Sequence, residues 1–287
     1  MSPRNSSFSS RSGTSRDGAS RVALHVLLAA CGVVTLAPLV WMVAASFMPA
    51  GEASAFPPRF FPSSPTTAHY EALFARLSVG RYFLNSTLLA VGVTVISLLV
   101  NALAGYGFAK LRFRGRERTF RVLLAALVVP AQVTMLPLFL LLKEMGFINT
   151  YWGILVPGMA SVFGIFLVRQ FAQSIPDDLL DAARIDGASE ARIFWTVGVP
   201  LLKPILVTLA LFTFMGVWND FMWPLIVLTD DTMYTLPVAL ANLVGERVQD
   251  VELMMAGSVL TVLPVLVVFV ALQRYYIEGI MLGSVKG

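Results

Sequence analysis

Charge is scarce in this chain. Of its 287 residues, 13% are Asp, Glu, Lys or Arg and 57% are hydrophobic, whereas soluble domains carry about 25% charged residues. A chain so poor in charge needs an apolar solvent for its surface, and hydrocarbon is the candidate. Cysteine is nearly missing too. Cys31 stands alone, which excludes an intramolecular disulfide and a cysteine-built metal cluster. His25 and His69 share no ligand spacing, so no metal site and no cofactor is expected. Catalytic motifs are absent as well. There is no GxxxxGK[ST] phosphate loop, so the chain is not expected to hydrolyse ATP by itself; the closing Gly283-Ser-Val-Lys-Gly287 lacks the spacing and the following helix. Neither GxSxG nor HExxH occurs, and no catalytic residue is assigned.

What remains is basic and strongly patterned. The net charge of +4 does not point to nucleic acid, because the Lys and Arg residues lie between apolar runs rather than on a patch interleaved with aromatics. Residues 1–21 are Ser-rich with Arg4, Arg11, Arg16 and Arg21, and read as a disordered tail. They lack the amphipathic face of a transit peptide, and the apolar run that follows is longer than the roughly 7–15 residues of a signal-peptide core.

Crossing a bilayer takes about 20 apolar residues. Six spans are predicted: 22–47, 82–108, 122–142, 150–168, 205–229 and 253–273. The fourth is short and broken by Pro157, with Gly153, Gly158 and Gly164 set for close helix packing; it suits a span buried in protein. Asn101 and Gln132 are predicted to hydrogen-bond between helices. Residues 48–81 carry too many prolines for a regular element. Sixteen Lys and Arg residues fall on the side of the tail, the 110–121 loop, the 169–204 segment and the C-terminus, and five on the other. That asymmetry places both termini in the cytoplasm, and an even number of spans agrees. Residues 22–287 read as one membrane domain. Ionisable groups within the spans are almost absent and no internal repeat is visible, both of which argue against a secondary carrier. The exception is Asp220, in Trp218-Asn219-Asp220-Phe221. It serves either a translocation pathway or the outer headgroup interface, with Trp218 and Trp223 as anchors.

One stretch breaks the apolar pattern. Residues 174–204 hold five carboxylates, Asp177, Asp178, Asp181, Asp186 and Glu190. Ser174 is placed to cap a helix starting at Asp177, and Gly187 suits its left-handed end. Ser189 then caps a second short helix, which is predicted to stop before Pro200. The residues fit two readings, an amphipathic linker lying on the membrane or a compact docking knob. On the residues alone the linker is the simpler reading, although the stretch's acidity weakens it, since helices that lie on membranes are usually Lys/Arg-rich.

Asp181-Ala-Ala-Arg-Ile-Asp-Gly-Ala188, followed by Phe194, Pro200 and Pro204, resembles the EAA loop of ABC-transporter membrane subunits, EAAxxDGAxxxxxFxxIxLPxxxP. Asp181 stands where the family has Glu, a shorter reach with the same charge. Pro137-Leu-Phe139, Asn149-Thr-Tyr-Trp152, Phe166 to Gln170, Trp218 to Phe221 with Trp223-Pro224, Leu236-Pro237, and Gln273 to Tyr275 with Gly283 to Gly287 are similar to the carbohydrate-importing branch. Within it the chain looks like the maltose-type second permease.

The resemblance implies an all-α membrane protein with six transmembrane helices and the type I ABC importer permease fold, its core over about 82–274. A cytoplasmic coupling helix would carry Asp181, Ala182, Ala183, Asp186, Gly187, Ala188, Phe194, Pro200 and Pro204. A C-terminal tail over 275–287 would touch the ATPase through Gly283, Lys286 and Gly287, and Trp218, Asn219 and Asp220 are candidates for the pathway. The implied partners are a second homologous permease, two cytoplasmic ABC ATPases, an extracytoplasmic solute-binding protein and membrane lipid. The implied cargo is a sugar, or glycerol 3-phosphate or another polyol.

Overall fold

A computed structural model describes residues 14–76, 78–246 and 250–284. Every regular element among them is helical. Five stretches are long and apolar enough to cross a membrane: Ser20–Ala45, Val79–Lys110, Trp152–Gln173, Glu190–Trp218 and Val251–Ala271. A sixth passes only as a pair, Arg116–Val128 with Ala131–Glu144, bent by 105°. The chain divides into two compact units, Met1–His69 with Asp250–Val259 and Tyr70–Gln249 with Leu260–Gly287.

In the first unit, α1 (Thr14–Ala45) begins earlier than composition suggested. Residues 14–21, expected in the tail, extend the apolar helix, since each added residue gains a hydrogen bond without a new nucleus. Residues 1–13 lie outside the described set. The proline-rich segment after α1 is tied by side chains. Glu52 accepts from Arg59 Nη1 (2.9 Å) and Ser63 N–H (3.1 Å), and Glu252, 1% exposed, accepts from Ala53 N–H at 2.7 Å. Past the last proline of this segment, Pro65, the chain does form a helix, α2 (Ala68–Arg76), where the sequence suggested none.

The second unit is built on α3 (Val79–Lys110). Next come α4 (Arg116–Ala125), its short 3-10 extension Ala126–Val128, and α5 (Ala131–Glu144). The predicted single span over 122–142 is bent because Pro130 has no N–H and drives Val129 into an extended conformation (φ −81°, ψ 118°). Then follow α6 (Trp152–Gly158) and α7 (Val162–Gln173). Helix α7 lies against α3 so closely that a Cβ on Gly105 would stand 2.6 Å from that of Val168, and one on Gly164 2.6 Å from Asn101 Nδ2. Small residues allow that approach, and polar ones fasten it. Asn101, fully buried, donates to Ser97 Oγ (2.8 Å) and accepts from Ser161 N–H (3.0 Å) at the head of α7. Gln132, by contrast, is exposed at the start of α5.

The fifth span is shifted from its predicted 205–229. After α8 (Asp177–Ile185) and α9 (Glu190–Ile193), the helix does not stop before Pro200. A π-turn over Phe194–Gly198 carries it into α10 (Val199–Trp218), with Val199 N–H bonded to Phe194 C=O. The extra residue in the turn makes room for a proline that has no hydrogen to give and would crowd the carbonyl four back. The span ends at Trp218 because Asn219 and Asp220 bond the backbone themselves, and α11 (Met222–Val227) is a separate short helix. Helices α12 (Leu236–Glu246) and α13 (Val251–Ser284) complete the described chain. Gly283 lies within α13; Lys286 and Gly287 fall outside the described residues.

Candidate coupling site

Helix α8 starts at Asp177, but not under a cap from Ser174, whose hydroxyl instead donates to Phe171 C=O and closes α7. Lys110, at the end of α3, serves this corner. Its ammonium donates to Ile175 C=O and to Asp177 Oδ1, both at 2.6 Å. The lysine side chain is 5% exposed and the aspartate 73%. That hydrogen bond holds the Asp177 carboxyl below its ordinary range.

The other end of α8 follows the Schellman pattern. Gly187 N–H bonds Arg184 C=O and Ala188 N–H bonds Ala183 C=O, each at 3.0 Å, with Gly187 at φ 81°. Ser189 accepts from Arg192 N–H (3.3 Å), the cap expected for α9. Across this turn Arg184 holds both helices. It donates to Asp181 Oδ1 (2.6 Å) and, through Nε and Nη2, to the two oxygens of Glu190 (2.7 and 3.2 Å). Glu190 first and Asp181 second push the guanidinium's ionisation above the usual arginine range.

The α8–α9 corner has two faces. Inward, Leu180, Ile193 and Phe194 pack with Tyr106, Val168 and Leu202, and the Phe194 and Tyr106 rings meet edge-on at 5.2 Å. Outward, Asp181, Ala182, Asp186 and Gly187 are exposed. With them stand Leu179 (46%) and Ile185 (86%), large apolar side chains open to solvent. Behind the corner Arg169, buried, donates to Glu117 (2.5 Å) and Phe108 C=O (3.3 Å) and lies 3.9 Å over the Phe120 ring. The ends of α3, α4 and α7 thus form one fixed base for α8.

At the far end of α10, Asp220 Oδ1 accepts from Trp223 N–H at 3.3 Å. The carboxylate lines a cavity of about 210 Å³ with Ser86, Val93, Gly158, Trp223 and Thr235, and the buried Thr235 hydroxyl has no partner among the described residues. Among the described residues no group of three or more His, Cys, Asp or Glu is placed to hold a metal.

Residues 101–281 match the family of binding-protein-dependent transport system inner membrane components. The chain belongs to that family. The arabinooligosaccharides transport system permease protein AraQ of Halalkalibacterium halodurans is 35% identical over 88% of this chain and 92% of its own length. The galactooligosaccharides transport system permease protein GanQ of Bacillus subtilis is 33% identical, covering 92% of this chain and 94% of its own. The lactose transport system permease protein LacG of Rhizobium radiobacter is 40% identical over 75% and 78%. Among solved structures, a bacterial ABC transporter involved in the import of the acidic polysaccharide alginate matches with a TM-score of 0.81 and 25% identity, covering 94% of this chain and all of that one.

The permease is therefore a multi-pass inner-membrane protein, the non-catalytic translocating component of an ABC importer that works with an ATPase and a binding protein. Its predicted loop residues divide between the two faces of the corner. Asp181, Ala182, Asp186 and Gly187 lie at the exposed tip. Ala183 and Ala188 are half-buried, and Phe194 is an inward anchor. Pro200 and Pro204 lie within the helix leading away. The predicted pathway trio is not held together as one site. Trp218, 1% exposed, donates from Nε1 to Thr261 C=O (2.9 Å) and stacks on Phe214. Asn219 caps α10 through Met215 C=O, and Asp220 alone reaches the cavity. Trp223 is also buried, donating to Gly153 C=O at 3.0 Å; neither tryptophan is an interface anchor. Sequence reasoning missed Lys110, Arg184 and Ile185. The spacing of Asp181, Arg184 and Glu190 around Gly187 was the available signal.

Proposed function

We propose that this permease imports a carbohydrate, with α8 as the coupling helix that takes up the movement of the ATPases. The observation that carries this is the outward tip, apolar at Leu179 and Ile185 and rimmed by Asp181 and Asp186, fixed to the spans by Arg184, Lys110 and Phe194. A helix anchored at both ends moves as a rigid body. A partner groove that grips the tip can then rock α3, α7 and α10 together.

The permease pairs with a second, homologous permease and two ATPases, and receives solute from an extracytoplasmic binding protein. It crosses the membrane six times with both termini cytoplasmic, a reading supported by the distribution of Lys and Arg. Gly283, Lys286 and Gly287 contact the ATPase, on the strength of the terminal resemblance. The carbohydrate class rests on the relatives named for arabinooligosaccharide, galactooligosaccharide and lactose transport. ATP closes the ATPase pair and the bundle opens outward, so the nucleotide acts through its different affinity for the two conformations.

Uptake of a labelled oligosaccharide by cells carrying the whole system tests this. Uptake should stop on ATP depletion and persist under an uncoupler. The reverse pattern would return the chain to the secondary carriers.

A further inference from the structure

The start of α4 is strongly basic. Arg112, Arg116, Arg118 and Arg121 surround a concavity of about 610 Å³ with Phe113 and Glu117. Its single acid is already engaged, since both Glu117 oxygens accept from Arg169 Nη2 (2.5 and 3.1 Å). Arg116 is occupied by Leu111 C=O at 3.1 Å. Among the described residues no carboxylate lies within ion-pair distance of Arg118 or Arg121, Arg112 acts on Asp177 only at longer range, and Phe113 is 48% exposed beside them.

The same helix face changes character within one turn. Arg118, Arg121, Val122, Ala125 and Val128 recur at helical spacing through α4 and its 3-10 extension, with the extended Val129 just beyond, and all are exposed, Val122 at 69% and Val128 at 83%. From Arg121 to Val128 the rise is about 10 Å. Guanidinium groups therefore stand at one end of a bare apolar stripe, on an element that belongs to a membrane-crossing pair. A carboxylate-bearing protein surface would meet the arginines but has no use for the stripe. An amphiphile fits both.

We propose that this basin and stripe form a binding site for an anionic phospholipid, its phosphate held by Arg112, Arg118 and Arg121 and an acyl chain lying along Val122 to Val129. The site lies at the α8 end of the molecule, because Arg169 joins α4 to α7 immediately before the coupling corner. Bound lipid steadies the base that moves together with α8.

The test uses the assembled transporter, purified in mild detergent and weighed by native mass spectrometry after adding phosphatidylglycerol, phosphatidylcholine or inorganic phosphate. Wild type should retain phosphatidylglycerol over phosphatidylcholine, and the Arg118→Gln/Arg121→Gln variant should lose that preference by about tenfold, while Arg118→Lys/Arg121→Lys keeps most of it. Retention by wild type should fall as salt rises from about 50 to about 500 mM, a readout that needs no variant. Equal retention of the two lipids, or displacement of phosphatidylglycerol by millimolar phosphate alone, would overturn the proposal. So would a Gln variant that retains lipid normally but sheds a protein subunit.

Discussion

Arg184 and Glu190 meet across the Gly187 turn in a two-pronged ion pair, Nε to Oε1 at 2.7 Å and Nη2 to Oε2 at 3.2 Å. Two parallel bonds to a planar carboxylate fix direction as well as distance, so the pair sets the angle between α8 and α9. Both side chains are partly solvated, 35% and 48% exposed, and such pairs contribute about 0–1 kcal/mol to stability. Arg184→Gln should leave the thermal midpoint nearly unchanged yet lower ATP-driven uptake several-fold. Charge exchange, Arg184→Glu with Glu190→Arg, should restore part of it. Loss of folding in the single variant, measured by scanning calorimetry, would contradict a purely directional role.

Gly187 adopts φ 81°, and a Cβ there would meet nothing within 4 Å. Backbone conformation is therefore the only obstacle to a side chain. Gly187→Ala should cost about 1–2 kcal/mol, and Gly187→Val, with its branched carbon, more. Membrane insertion should survive in both and uptake should fall from Ala to Val. Normal uptake by the valine variant would separate the turn from coupling.

Gly164 presents the opposite case, with an ordinary φ but no space. A methyl group there would displace the Asn101 amide, which holds Ser161 N–H at the head of α7. Gly164→Ala should lower stability by about 1–3 kcal/mol, the cost of an unsatisfied buried polar group. Gly32→Ala, where a Cβ touches nothing within 4 Å, should leave it unchanged or slightly raised. Thermal denaturation in detergent measures both.

The Lys110–Asp177 contact gives a pH dependence of fixed sign. The folded Asp177 carboxyl ionises below its ordinary range, so its stabilisation is complete above its unfolded pKa of about 3.9. It is lost as pH falls through the lower folded value. The midpoint difference between wild type and Asp177→Asn should be flat from about pH 7 to 5 and vanish in stronger acid. A difference that shrinks near neutrality would assign the effect to another group.

Much of this was legible in the sequence because the bilayer demands long apolar runs and the loop chemistry is local. Gly187 and Ser189 could be read as a helix end and a helix start without knowing their neighbours. Three features were not legible, each for a physical reason. Pro200 signals a helix end, yet a π-turn at Phe194–Gly198 absorbs it. Pro137 and Pro130 look alike in an apolar run, but Pro137 lies inside α5 while the break falls at Pro130. Lys110 reads as a topology charge, and only folding brings it to Asp177, 67 positions away.

Coupling requires the ATPase to grip the α8 tip. A photo-crosslinking amino acid placed at Ile185 in the assembled transporter tests it directly. An adduct with the mass of permease plus ATPase subunit is expected, and none from the same probe at Leu201 on α10. An Ile185 probe that labels only lipid or the other permease would contradict it.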